Sequence, residues 1–326
     1  MSMMHRLVRS STPRRIAGAL LPALILAASL ALLASCTFDL DYDKYAIVYG
    51  VSDYSPAGYT DLSSTDDDAM DINDLLISQG FQVVLRVTTE DVTPINEAHD
   101  TNLIGDFNYA ATSANLDKDD LFIFYFSGHG TQLDPGSSEQ TPGTDDMDEA
   151  IVLVNQALDD IVYFTDDELA NLVRTIPCAR KVVILDACYS GGVISNSLEA
   201  DAIPPNYSED GSNGLFETLG NAIYLYSNFQ DYGSDIPPSL ALVIAASGEQ
   251  DVAYETDGNG VMTFYLLESA SNGDLNRDGY VTVSEAYFYI YRNIDEHFNM
   301  VYGPSGYVFF PHVSGGPVDY VLFISP

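Results

Sequence analysis

The chain has 326 residues, with 48 Asp and Glu against 12 Lys and Arg, a formal net charge of −36. So acidic a surface repels phosphate backbones and anionic headgroups, which argues against nucleic acid as a partner and favours metal cations or basic peptides. With 46% apolar residues, 15 Phe and 22 Tyr it is no disordered acidic tail, and its length suits one large α/β domain or two small ones.

Residues 1–15 carry Arg6, Arg9, Arg14 and Arg15 and no acid, and residues 16–35 then run almost wholly apolar up to Cys36. A basic head, an apolar core and a small-residue end describe an export signal. Leu33-Ala34-Ser35-Cys36 resembles the bacterial lipobox. That implies removal of residues 1–35, lipidation of Cys36 and anchoring to a bacterial membrane, periplasmic or surface-facing, with Thr37 leaning to the outer membrane. The rival is a short transmembrane anchor. Without residues 1–35 the formal charge becomes −40. Residues 36–44 follow as a tether.

Apolar, β-branched or aromatic runs recur at 45–50, 81–87, 121–126, 150–154, 182–186 and 241–246. Continuous rather than alternating runs predict strands buried on both faces of a parallel sheet. Helical patterns lie between several of them, at Asp67–Gln79, Thr165–Arg174 and Val261–Ala270. The second opens on a capping box, Thr165 with Glu168. Strands alternating with helices predict an α/β sheet flanked by helices in three layers, over residues 45–326. Residues 193–239, rich in Asn, Ser, Gly and Pro, read as a surface insertion, and YVLFI (320–324) as a last strand.

Two of these strands run into chemistry. LFIFYF leads to Ser127-Gly128-His129-Gly130, and VVILD to Ala187-Cys188-Tyr189-Ser190-Gly191-Gly192. Sites in open parallel sheets form beyond the carboxyl ends of strands. If the two strands are neighbours, His129 faces Cys188 and assists formation of its thiolate. Cys178 lies at the other end of the strand, roughly 20 Å away, too far for a disulfide with Cys188.

The pairing of SGHG with DACYSGG resembles the caspase and metacaspase peptidases. YAIVYGVSDY, Leu62–Leu76, SGEQDVAYE (247–255), GVMTFYLLE (260–268) and Phe310–Gly315 extend the similarity over nearly all of residues 45–325. The resemblance implies a caspase-like fold and a cysteine endopeptidase acting on proteins or peptides through a Cys188–His129 dyad. It also implies an oxyanion hole from the N–H groups of Gly128 and Cys188. Asp186 and Asp68 match the metacaspase acids that select Arg or Lys before the scissile bond. For Asp68 the bland alternative is an acid favoured at the start of a helix.

Metal is the second expectation. Asp274, Asn276, Asp278, Tyr280, Thr282 and Glu285 fit a 12-residue EF-hand calcium loop, with Gly279 at its turn and Tyr280 offering a carbonyl. A further acidic group, Asp145, Asp148, Asp166 and Asp167, matches where metacaspases hold an activating calcium. Ser195 stands where the family often has an Asp, which leaves a plain solvated acidic loop as the alternative. The rival functions are a catalytically silent caspase-fold lipoprotein that binds a partner, and a calcium-dependent binding module around 274–285.

Overall fold

The computed structural model describes residues 42–89, 97–133, 148–188, 236, 240–247, 253–255, 258–305, 308, 310–314 and 319–326. The export signal, Cys36, Asp145, Ser195 and nearly all of the 193–239 insertion lie outside the described residues.

Six strands form the central sheet: β1 (Lys44–Val51), β2 (Gln82–Thr88), β3 (Leu121–Ser127), β7 (Arg180–Asp186), β8 (Leu242–Ala245) and β10 (His312–Ser314). Their order is β10-β8-β7-β3-β1-β2, parallel throughout except for antiparallel β10 at the edge. Successive strand side chains point to opposite faces, so each unbroken apolar run feeds two cores. Ile47, Tyr49, Phe122, Phe124, Val183 and Leu185 pack on one face. There they meet α2 (Asp100–Thr112), through Leu103 and Phe107, and α3 (Asp166–Thr175), through Leu169 and Val173. Ala46, Val48, Ile123, Tyr125, Val182 and Ile184 face the other way. They meet α1 (Thr65–Ser78), α4 (Val261–Asn272) and α5 (Val283–Asn293) through Ile72, Leu266 and Ile290. The three-layer α/β expectation holds.

One run lies in a different sheet from the one expected. Residues 150–154 were expected in the parallel sheet. They belong to β5 (Asp148–Val154), the middle of an antiparallel sheet with β4 (Gly130–Leu133) and β6 (Ile161–Thr165). Ile151 to Val154 join the first core, so both faces of the run are covered without parallel neighbours. An apolar run reports burial, not pairing direction.

Local signals account for the helix starts. The predicted capping box at α3 is present in full: Thr165 accepts the Glu168 N–H and Glu168 accepts the Thr165 N–H. A second capping box, Thr282 with Glu285, opens α5. Just before it, β9 (Tyr280–Thr282) pairs antiparallel with β11 (Val321–Ile324), so the predicted last strand serves the 274–285 loop and not the central sheet.

Candidate active site

Ser127 and Asp186 stand side by side in the β3–β7 register, at the carboxyl ends of both strands. His129 and Cys188 come two residues later on each strand and therefore leave the sheet at one edge. The main chains there nearly touch: a Cβ on Gly130 would sit 2.0 Å from the Cys188 carbonyl oxygen. Only glycine is possible at that point.

His129 Nε2 lies 2.8 Å from the Thr60 carbonyl oxygen. A carbonyl can only accept, so Nε2 carries the proton and Nδ1 keeps its lone pair. Burial lowers the His129 pKa below its ordinary value, against a small opposing pull from Thr60, Glu255 and Asp61. Burial thus favours the neutral imidazole. Burial also pushes the Cys188 thiol up, partly offset by the Ala253 N–H on its sulfur, while the charge of Asp186 adds to the rise. Burial thus disfavours both the charged imidazole and the thiolate.

The expected oxyanion donor Gly128 is otherwise engaged. Its N–H continues the sheet ladder to the Asp186 carbonyl at 3.3 Å. The glycine against Cys188 is Gly130, which sequence reasoning did not select although SGHG contains it.

Asp68 and Asp186 do converge, and Ser127, also missed, joins them. Asp68 is wholly buried and Asp186 is 5% exposed. Asp68 accepts the Ser127 hydroxyl at 2.7 Å and the Gly260 N–H at 2.8 Å. Asp186 Oδ2 accepts from the Thr263 N–H at 3.0 Å and its hydroxyl at 2.6 Å. Asp68 was expected either as a pocket acid or as an acid favoured at its own helix start. It lies in the first turn of α1, yet its carboxylate serves the start of α4. Burial, then the neighbouring Asp186, raises Asp68 to about 8. Burial raises Asp186 to about 6, opposed by the Thr263 donors. Two carboxyls in so dry a place do not both ionise readily near neutral pH.

The 274–285 loop is folded around its own oxygens. Asp274 accepts the Asp278 and Gly279 N–H groups at 3.1 and 2.9 Å, and Asp278 accepts that of Tyr280 at 2.9 Å. Gly279 takes φ +91°, a turn that favours glycine. Glu285, 1% exposed, reaches back across the loop to the Asn276 N–H at 3.3 Å and caps Thr282 at 3.0 Å. Residue types, turn and the inward reach of Glu285 fit a hard divalent cation. Among the described residues, no three His, Cys, Asp or Glu side chains converge as a metal cluster. Of the second acidic group, the β5–β6 register pairs Ala150 with Thr165, which brings Asp148 on β5 to the hairpin end where Asp166 and Asp167 begin α3.

A cysteine and an imidazole thus leave one carboxyl edge of a mostly parallel sheet, near a pair of buried acids, on an α/β fold. The family model for the caspase domain matches residues 43–286, and the chain belongs to that family of cysteine peptidases. Three curated Arabidopsis thaliana proteins are similar over part of their length. Metacaspase-4 is 36% identical over 86 residues, 26% of this chain and 19% of that protein. Metacaspase-2 is 31% identical over 114 residues, 34% of this chain and 25% of that one. Metacaspase-3 is 29% identical over 156 residues, 46% and 41%. The chain thus spans less than half the length of these relatives. Among solved structures, protein GSU0716 from Geobacter sulfurreducens shares the fold, with TM-score 0.50 and 20% identity over 85% of this chain and 95% of that one.

Proposed function

We propose that the protein is a cysteine endopeptidase that cleaves after Arg or Lys. The observation that carries this reading is the Thr60 carbonyl on His129 Nε2, because it leaves Nδ1 as the base at the edge shared with Cys188. Nδ1 takes the Sγ proton as sulfur attacks the scissile carbonyl carbon. The oxyanion forms beside the Cys188 N–H and the close-packed Gly130, which we substitute for Gly128 as the second donor. Collapse breaks the C–N bond, the imidazolium protonates the departing amine, and a thioester remains. Water, losing its proton to Nδ1, then hydrolyses the thioester and restores the thiol.

Two buried acids, bonded to no Lys or Arg among the described residues, favour a basic side chain before the scissile bond. A guanidinium would bring charge-assisted hydrogen bonds to carboxyls whose ionisation is now opposed. The mature chain has few basic residues with which to build the opposite preference. Asp274, Asn276, Asp278, Tyr280, Thr282 and Glu285 would hold calcium, which supplies structural order at the α4–α5 junction. Asp148, Asp166 and Asp167, with Asp145, form a weaker candidate for a second ion. The sequence through Cys36 supports export and lipid anchoring to a bacterial membrane.

The test is a peptide-library digest with wild type beside Cys188→Ala and His129→Ala, with and without calcium. Cleavage after Arg or Lys, absent in both variants, is the expected result. Undiminished cleavage by Cys188→Ala would remove the assignment.

A further inference from the structure

We infer that Tyr54 is a positioning residue for His129, setting the height and orientation of the imidazole through one buried hydroxyl. The inference rests on the assignment of His129 as the base.

Tyr54 is wholly buried and follows β1 at the head of a short turn. Its hydroxyl lies 2.9 Å from the Val152 carbonyl and 3.0 Å from the His129 main-chain nitrogen. The chemistry fixes both directions. A carbonyl cannot donate, so the phenol proton goes to Val152, and the phenol oxygen then accepts the His129 N–H. Meanwhile the His129 carbonyl accepts the Val152 N–H at 2.9 Å. Three bonds therefore bolt the histidine backbone to β5, and the phenol oxygen makes two of them.

The same turn holds the ring. The Tyr54 and His129 ring centres are 4.8 Å apart, and the Tyr59 ring meets His129 edge-on at 5.0 Å. Thr60, next in sequence, supplies the carbonyl on Nε2. Asp61 accepts the Tyr54 N–H at 2.8 Å, and the Tyr54 carbonyl accepts the Tyr59 N–H at 3.2 Å, which closes the turn on itself. Tyr54 is the member anchored at both ends. Space is matched too: a Cβ on Gly128 would lie 2.8 Å from the phenol oxygen. Removing the hydroxyl leaves the His129 N–H and the Val152 carbonyl buried without that partner. The histidine segment can then shift by a fraction of an ångström, a displacement that catalysis feels far more than binding does.

The experiment compares the mature protein with its Tyr54→Phe, Tyr49→Phe and Cys188→Ala variants on an Arg-ended fluorogenic peptide. Tyr49 is a second buried tyrosine whose hydroxyl bonds Asp106 at 2.7 Å, so its loss controls for removing any buried hydroxyl. Tyr54→Phe should lower kcat about 10- to 100-fold with KM within about twofold, while Tyr49→Phe keeps kcat and loses only thermal stability. Imidazole nitrogen NMR should show one His129 tautomer, protonated at Nε2, in wild type and a mixture in Tyr54→Phe. If Tyr54→Phe does not fold, p-aminophenylalanine at 54, which keeps a donor and a lone pair, should retain the wild-type tautomer and most of kcat. Loss of both in that folded variant would overturn the inference. So would a Tyr54→Phe protein with wild-type kcat and spectrum, beside an inactive Cys188→Ala. Undiminished cleavage by Cys188→Ala would instead remove the peptidase reading, and the tautomer comparison would still decide the role of Tyr54.

Discussion

Asp68 and Asp186 meet at the first turn of a helix that neither belongs to. Asp68 Oδ1 takes the Gly260 N–H at 2.8 Å and Asp186 Oδ2 takes the Thr263 N–H at 3.0 Å, so both carboxyls close the N-terminus of α4. A Cβ on Gly260 would fall 2.4 Å from Asp186 and 3.0 Å from Asp68, which leaves glycine as the only fit. The helix end, with its free N–H groups and positive dipole end, offsets part of the charge. Burial still dominates, and near pH 7 the pair is best described as two carboxyls sharing roughly one charge. Asp186, with two Thr263 donors, holds it more readily.

Replacing Asp186 by Asn should cost about 10- to 100-fold in kcat/KM on Arg peptides, since hydrogen bonds to charged groups contribute about 1.5–3 kcal/mol. A citrulline peptide, which keeps the shape and loses the charge, should be cleaved by both proteins at similar rates. Equal loss on both peptides would assign Asp186 to holding α4 alone. Preference of the wild type for Asp or uncharged peptides would overturn the basic specificity.

Asp68 also sets a pH dependence of stability. Its folded pKa is raised to about 8, far above the ordinary value of 3.8. The folded state therefore binds a proton that the unfolded state has already lost. The stabilisation is complete below about pH 4 and declines as pH rises toward and through 8, at no more than about 1.4 kcal/mol per pH unit for one proton. Thermal melts of wild type should fall between about pH 6 and 9, and Asp68→Asn, which cannot ionise, should flatten that slope. Parallel slopes for the two proteins would show that Asp68 is not the group responsible.

The placing of this candidate site was legible from strand endings. SGHG and DACYSGG each follow an unbroken apolar run, and buried parallel strands deliver the residues after them to one edge, so the shared edge of His129 and Cys188 could be read from the sequence. Asp186 came with its strand. Ser127 and Gly130 flank His129 in SGHG, but nothing local says that one faces the acid pair and the other abuts Cys188. Those facts depend on the β3–β7 register. Tyr54, Thr60 and α2 were not recovered. The tyrosine works through a hydroxyl and the threonine through a carbonyl that any residue would offer. α2 starts at His99, whose ring accepts the Asn102 N–H, in place of the usual Ser, Thr or Asp cap.

Calcium should raise the melting temperature of the mature protein. A ligand present at about 100 times its Kd adds about 2.7 kcal/mol to the folded state. Glu285→Gln should remove most of that gain, because the last ligand of such a loop binds through both carboxylate oxygens. It should lower the calcium-free melt only modestly, since the Gln carbonyl can still accept the Thr282 N–H at 3.0 Å and only the long 3.3 Å bond from the Asn276 N–H is lost. A melt indifferent to millimolar calcium would exclude this loop as a calcium site.

The final prediction concerns maturation. A peptidase selecting Arg or Lys can cut itself only where it has them, and no Lys or Arg occurs between Lys181 and Arg277. The long polar stretch at 193–239, the obvious place for a processing cut, therefore offers no substrate. Arg180 and Lys181 are the nearest candidates before it, and both are committed to β7. Arg180 lies over the Tyr42 ring at 4.3 Å, Lys181 is 7% exposed, and the strand continues directly into Asp186 and Cys188. Cutting there would break the chain at the start of the buried strand that leads to Cys188. The protein should accordingly work without a cut between Lys181 and Arg277. Purified mature protein incubated with calcium should show by intact mass no fragment ending between those residues, with peptidase activity present in the same sample. Wild-type fragments ending within 193–239, absent from Cys188→Ala, would contradict both this expectation and the basic specificity on which it depends.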